Sequence, residues 1–243
     1  YRVHDQPDLA KLEALREFLG TLGIAVPTGQ RLRPADLNRV LREVADKPVS
    51  QLVSQTVLRS QSQAVYSPDN LGHFGLALAR YAHFTSPIRR YPDLLVHRVI
   101  KSIIQNKGHY VPAYGDMGHD DPVTRWRNIG DHCSAAERRA DEASRDVEAW
   151  LKCQYMREHL GEDFSGTVSA VTTFGVFVTL DALYVEGLVH ITELGGEYFR
   201  FDEARQELRG ERTGIRYAVG SRVQVQVSRV DLDGRKIDFR LVR

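Results

Sequence analysis

The sequence predicts an α+β protein in which a mainly helical front part is followed by a small five-stranded β-barrel. Three observations carry this expectation. Up to about residue 160 the apolar side chains recur at helical spacing; beyond Gly161 the period becomes two and β-branched residues dominate. Asp233-Gly234, set between two alternating runs, is a hairpin signal. With 243 residues, 42% of them hydrophobic and 27% charged, the chain has the composition of a globular protein of one or two domains.

The elements follow in order. Pro7, then Leu9, Leu12, Leu15, Phe18, Leu19 and Leu22 trace one face of a first helix, with Gly23 as its stop. Pro34 opens a second, with Leu37, Val40, Leu41 and Val44 on one side, and Pro48 precedes a third through Leu52, Val53, Thr56 and Val57. The aromatic, Gly-punctuated stretch from Gly72 to Thr85, with His73-Phe74-Gly75-Leu76-Ala77-Leu78, reads as holding a buried strand. A helix is expected from Pro92 to Gln105, then a loop over 107–122, then a long charged helix from Pro122 to Leu160 whose Glu, Arg and Asp residues form a solvated, pair-laced face. From Phe164 onward, Val223, Val225 and Val227 alternate with polar residues, as do Ile237, Phe239 and Leu241. About eighty residues of short strands suit a five-stranded barrel of the OB type, which places a domain boundary between 1–162 and 163–243.

Composition excludes several classes. Lys and Arg total 33 against 32 for Asp and Glu, so a nucleic-acid surface has to come from local clustering. Cys133 and Cys153 stand far apart, which argues against a disulfide framework or a Cys-rich zinc site and suits a reducing cytoplasm. No apolar run approaches the roughly 18 residues that span a bilayer, so no membrane partner is expected. Tyr1-Arg2-Val3-His4 reads as a segment already under way, either part of a longer protein or a trimmed chain.

The most informative stretch is Tyr81-Ala82-His83-Phe84-Thr85-Ser86-Pro87-Ile88-Arg89-Arg90-Tyr91-Pro92-Asp93, continuing to His97-Arg98. Pro92 lacks an N–H and disfavours helical backbone at Tyr91, so Ser86 to Tyr91 should turn into a helix beginning near Pro92. Two guanidinium groups beside a helix N-terminus are each unfavourable by about 0.3–1 kcal/mol. Asp93 can offset one, leaving the other to face a ligand. A phosphate, which the arginine fork bonds bidentately, fits that role. The bland alternative, in which both arginines pair with nearby carboxylates and bind nothing, stands equally open on local physics. His73, His83 and His97 are read as satisfied structural histidines, since no His-x-x-x-His or Cys-x-x-Cys spacing supports a zinc site.

The run from His73-Phe74-Gly75-Leu76 through Arg89-Arg90-Tyr91-Pro92-Asp93 to His97-Arg98 closely resembles the signature of the ribonuclease II/R exoribonucleases. Tyr1-Arg2-Val3-His4 and the stretch from Ala136 to Val147 are similar to that family too, so the resemblance covers essentially the whole chain. It implies the C-terminal portion of an RNB catalytic domain, and processive, magnesium-assisted hydrolysis of RNA from its 3′ end to 5′-nucleotides. It places Arg89 at the scissile phosphate as the catalytic arginine, with Arg90, Tyr91, His83 and Ser86 as support or RNA contacts. The family's metal is held by a loop of aspartates that precedes this part of the domain. The aspartates Asp116, Asp120 and Asp121 are read instead as an exposed loop, and Asp231, Asp233 and Asp238 as a hairpin and its strand. The chain is therefore expected to contribute no magnesium ligand, to bind single-stranded RNA without degrading it, and to need the upstream part of the same enzyme, which should be monomeric when complete.

The end of the chain resembles the RNA-binding repeat first described in the largest protein of the small ribosomal subunit, through Gly166-Thr167-Val168, Thr173-Phe174-Gly175-Val176-Phe177-Val178 and Glu186-Gly187-Leu188-Val189-His190-Ile191. The resemblance implies base stacking on Phe174, Phe177 and His190. Strict alternation would put the two phenylalanines on opposite faces unless Gly175 breaks the pleat, so exposure is expected more of Phe177 than of Phe174. Arg229 and Lys236, with Arg235, are expected to contact phosphates. The segment 195–216 is a longer insertion, either a further contact or a capping helix. Two other readings remain at this level: a non-catalytic RNA-binding protein or regulator of the same fold, and a helical scaffold whose only activity is the barrel.

Overall fold

The computed structural model describes residues 1–29, 32–47, 49–108, 110, 112, 121–203 and 205–242. Asp116 and Asp120, and most of the expected 107–122 loop, lie outside them. The chain divides into two compact units. One comprises Tyr1–Leu12, Pro27–Asn38 and Ser60–Glu142, the other Glu13–Val26, Arg39–Arg59 and Ala143–Arg243.

The helical expectations are met closely. Helix α1 spans Leu9–Thr21, α2 Pro34–Glu43 and α3 Ser50–Ser60. Most of their periodic apolar residues are buried, namely Leu12, Leu15, Phe18, Leu19, Leu37, Val40, Val44, Val53 and Val57, whereas Leu9 is half exposed and Leu22, Leu41 and Leu52 are partly buried. Gly23 follows α1 with a positive φ of 72°, the left-handed conformation that ends a helix. In the first unit, β1 (Arg2–Val3) pairs antiparallel with β2 (Val65–Tyr66). Helix α4 spans Tyr91–Ile104 with Pro92 in its first turn, and α5 spans Pro122–Met156.

The stretch 73–78 is a correction. It forms a short 3₁₀ turn over Phe74–Leu76, not a buried strand, and Leu76 and Leu78 are about half exposed. The turn is held from outside itself. The His4 ring nitrogen Nδ1 accepts the Gly75 N–H at 2.9 Å, while Ala77 takes a left-handed φ of 55°. Only the one-residue bridges of His73 to His4 and to Leu78 have β character.

In the second unit, β3 (Asp163–Thr172), β4 (Gly175–Leu180), β5 (Glu186–His190), β9 (Arg222–Asp231) and β10 (Lys236–Leu241) close into a barrel in the order β10-β5-β4-β3-β9. All neighbours are antiparallel except β10 and β5. Alternation fixes which residues point inward. Val176, Val178, Leu180, Val189, Val225, Val227, Ile237 and Phe239 fill the core with Val168 and Val171. Gly187 is required by that packing, because a Cβ there would lie 2.6 Å from the Phe239 ring.

The barrel carries an addition. Between β5 and β9 the chain forms a separate antiparallel sheet of β6 (Phe199–Asp202), β7 (Glu207–Gly210) and β8 (Arg216–Ala218). The insertion 195–216 is thus a small sheet and not a capping helix. Its Phe199 and Leu208 are buried in the barrel's hydrophobic cluster, with Phe201 and Tyr217 packed against it. Among the described residues, no helix is long and apolar enough to cross a membrane.

Candidate nucleic-acid interface

The arginine pair resolves into two different environments. Ser86 and the backbone that follows turn tightly, with the N–H groups of Arg89 and Arg90 both directed to the Ser86 carbonyl, at 3.3 and 3.0 Å. Asp93 sits in the first turn of α4, fully buried, where a carboxylate complements the helix dipole. It accepts the Ser86 N–H at 2.8 Å and pairs with the Arg90 guanidinium at 2.8 Å. Burial pushes the Asp93 carboxyl up, but the Ser86 N–H and the hydrogen bond and charge of Arg90 outweigh it and leave the group below its ordinary value.

Arg89 is exposed, and among the described residues its side chain has no ion pair or hydrogen-bond partner. It lies beside Arg90 and Tyr91 in a cleft of about 600 Å³. The same cleft is lined by Glu137 and Asp141 of α5. Glu137 is already engaged, accepting from Arg2 at 2.6 Å, and that guanidinium also lies 4.6 Å over the Tyr66 ring. The Tyr66 hydroxyl shares a 2.9 Å hydrogen bond with His83 Nδ1. Burial lowers the affinity of His83 for a proton, and the positive charges of Arg90 and Arg2 lower it further. Tyr91 is exposed at the rim. His97 stacks on Phe84 with ring centroids 4.3 Å apart and meets its carbonyl at 2.9 Å.

Sequence reasoning thus singles out Arg89, Arg90, Tyr91, His83 and Ser86, all of which fall on or behind one turn. It misses Arg2, Tyr66 and Glu137, which the fold brings to the same place from 135 residues apart. No local pattern signals a contact of that range. Among the described residues, no group of three or more His, Cys, Asp or Glu side chains is placed to hold a metal ion.

On the barrel, pairing sets the outer face. Phe177 faces Leu188 across β4 and β5, and Leu188 faces Asp238, which in turn faces Arg229. Phe177 is half-buried, His190 is exposed at the end of β5, and Arg229 and Lys236 are exposed. Phe174 precedes β4 in the turn and is 47% exposed, edge-on to Phe177 with centroids 6.1 Å apart. Gly175 permits this, with φ at 152° and a backbone so close to Val189 that a Cβ would clash. Both phenylalanines therefore lie outside the core, and Phe174 is the more exposed of the two. Arg229 is only loosely associated with Asp231, at 4.0 Å, whereas Arg235 pairs with Asp146 of α5.

Comparison with known proteins agrees with this architecture. The RNB domain family matches residues 1–106 and the S1 RNA binding domain family residues 159–241. A segment of an RNB domain joined to an S1 domain is the class that the fold and the motif define. Ribonuclease R of Escherichia coli (strain K12) is 47% identical over 243 residues, 100% of this chain and 30% of that protein. Mycoplasma genitalium RNase R superposes over the whole chain at 29% identity, with a TM-score of 0.85 for its apo form and 0.84 in complex with ribose methylated single-stranded RNA, this chain covering 37% of each. The chain joins the C-terminal part of an RNB domain to an S1 RNA binding domain, is similar to ribonuclease R over its whole length, and spans about 30% of the length of the curated relatives it matches.

Proposed function

We propose that this chain is the phosphate-gripping and RNA-binding part of a processive 3′-to-5′ exoribonuclease that releases 5′-nucleoside monophosphates. The observation that carries the reading is the asymmetry of the arginine pair. Asp93 holds Arg90, and Arg89 is left exposed in a cleft with no acidic partner among the described residues. A fixed guanidinium there can bond two phosphoryl oxygens at once and neutralise the charge that grows on them as the P–O bond breaks. Arg90 then acts as the strut that orients the turn, with Ser86 and His83 behind it, and Tyr91 is available at the rim to meet a sugar or base. Phe174, Phe177 and His190 offer stacking surfaces for a strand reaching the barrel, with Arg229 and Lys236 beside its phosphates.

Magnesium fits the reaction class, but the described residues of this chain form no cage for it. Its ligands are assigned to the rest of the protein, upstream of this stretch. Support for such a partner comes from the first unit, where Leu76 and Leu78 are about half exposed and Ile88, inside the motif, is fully exposed, apolar side chains suited to burial by further chain.

The test is direct. A 3′-labelled single-stranded oligonucleotide mixed with the purified 243-residue chain and magnesium should show raised anisotropy and no shortening on a gel. Digestion would overturn this division of labour. In the complete protein, Arg89→Ala should slow turnover by about a hundredfold or more, the range found when one preorganised donor is removed from a developing negative charge. Unchanged turnover would favour the scaffold reading, and a complete protein that binds RNA without cutting it would favour the non-catalytic binder.

A further inference from the structure

We propose that the small sheet inserted between β5 and β9 is a second RNA-contact surface, in which Arg200, Arg209 and Arg216 hold backbone phosphates of a single strand. The proposal rests on the reading that this chain binds RNA. Register is the first observation: Arg200 faces Arg209 across β6 and β7, and Arg209 faces Arg216 across β7 and β8. Three guanidinium-bearing residues therefore form one row across three strands. All three are exposed, and among the described residues none has an ion pair or a side-chain hydrogen bond. Like charges directly opposite one another destabilise a sheet, so the row is costly unless an anion lies along it.

The row is also locked in place. The rows on either side of it, Phe199 with Gly210 and Phe201 with Leu208 and Tyr217, face the opposite way, towards the barrel's hydrophobic cluster. Slipping one strand by one residue would turn Phe or Leu outward, so the arginines cannot leave their face cheaply. The turn from β7 to β8 is fixed by Glu197, whose carboxylate accepts the N–H groups of Arg212 and Thr213 at 2.8 and 3.0 Å and the Thr213 hydroxyl. That carboxylate is committed to the turn and is not a counter-ion for the row. Asp202 and Glu207 form the next row on the same face, and with Glu203 and Glu211 they line one cavity with Arg200 and Arg209, yet among the described residues none of them pairs with an arginine of the row. Asp202 accepts the Arg205 N–H at 3.0 Å, Glu207 is buried at 7% exposure, and Glu211 lies beyond the strand end.

Strands spaced about 4.8 Å apart put the backbones of the outer two arginines about 10 Å from each other, and their long side chains can reach different phosphates of one strand. The guanidinium fork matches a phosphodiester bidentately and carries no base preference. Continuity points to RNA as the occupant. The sheet packs on β3, and β3 pairs directly with β4, which bears Phe177. A strand stacked on the barrel's aromatic face could thus continue onto the arginine row within the same unit.

The experiment uses the whole chain and two labelled oligonucleotides, one of about 6 nucleotides, within a single OB-type site, and one of about 24. The Arg200→Gln/Arg209→Gln/Arg216→Gln variant should bind the short RNA as the wild type does. For the long RNA it should lose affinity on the order of tenfold at low salt, and its dependence of log K on log salt should flatten by about 2, three contacts at about 0.7 each. The corresponding triple Lys variant keeps the charge and should retain most of that slope, which separates charge from folding. Phe174→Ala/Phe177→Ala should weaken both RNAs. Failure of the wild type to bind either RNA would overturn the RNA reading itself. Normal wild-type binding with an unaltered slope in the Gln variant would overturn only the present proposal. So would a Lys variant as weak as the Gln variant, or poly-glutamate competing as well as RNA.

Discussion

Replacing Asp93 by alanine tests the division between the two arginines through stability alone. Asp93 is fully buried and carries two contacts of 2.8 Å, one to the Ser86 N–H and one to Arg90. Removing one partner of a buried pair costs about 3–5 kcal/mol, because the other charge is left without compensation. The Arg90 side chain keeps 23% of its exposure, so water recovers part of this and the lower end, about 3 kcal/mol, applies. For a chain of this size, that lowers the melting temperature by about 6–12 °C. The chain holds two tryptophans, Trp126 in the first unit and Trp150 in the second, so Trp126 fluorescence in a Trp150→Phe background reports on the unit that contains the motif. Adding Arg90→Met to Asp93→Ala should restore part of the loss, since no buried charge then remains unpaired. Arg89→Ala, at an exposed position without a partner, should stay within about 0.5 kcal/mol of the wild type. Equal losses for Asp93→Ala and Arg89→Ala, or no loss for Asp93→Ala, would refute the assignment of Arg90 to structure and Arg89 to ligand.

Two further outcomes are expected. Phe174→Ala and Phe177→Ala should each weaken single-stranded RNA binding by about 1–3 kcal/mol in a titration, with little change in melting temperature because neither side chain belongs to the barrel core. The stability of the first unit should also depend on pH through His83. Its folded-state pKa is lowered, by burial first and then by Arg90 and Arg2, so its contribution is complete above the unfolded value of about 6.5 and is lost as pH falls through the lower folded value. The Trp126 melting temperature should therefore drop below about pH 6.5, and His83→Gln should remove that component of the drop.

Much of this was legible in the sequence where local patterns decide the structure. Leu12, Leu15 and Leu19 mark the buried face of α1 because helical spacing and burial coincide there. The alternation of Val223, Val225 and Val227, and the turn at Asp233-Gly234, placed β9 and β10 for the same reason. The stretch 73–78 misled because its aromatic and apolar residues look like a strand, while the contacts that shape it come from His4, some seventy residues earlier. The inserted sheet had a usable signal: Phe199 and Phe201 alternate with Arg200 and Asp202, and Leu208 sits between Glu207 and Arg209. What no spacing could supply was register, and register alone aligns Arg200, Arg209 and Arg216. At the candidate site, the choice between Arg89 and Arg90 depended on which guanidinium reaches the buried Asp93, a matter of three residues on a helix turn that sequence left open.

Everything proposed for the motif depends on Arg89 meeting a phosphate. The most direct measurement is the affinity of a single-stranded RNA for the chain across a range of salt, wild type against Arg89→Gln, with Arg222→Gln as a control at a guanidinium already paired to Asp181 at 2.9 Å. Arg89→Gln should weaken binding and flatten the salt dependence by about 0.7, the signature of one lost phosphate contact, at an unchanged melting temperature. Identical affinity and slope for wild type and Arg89→Gln would contradict the account.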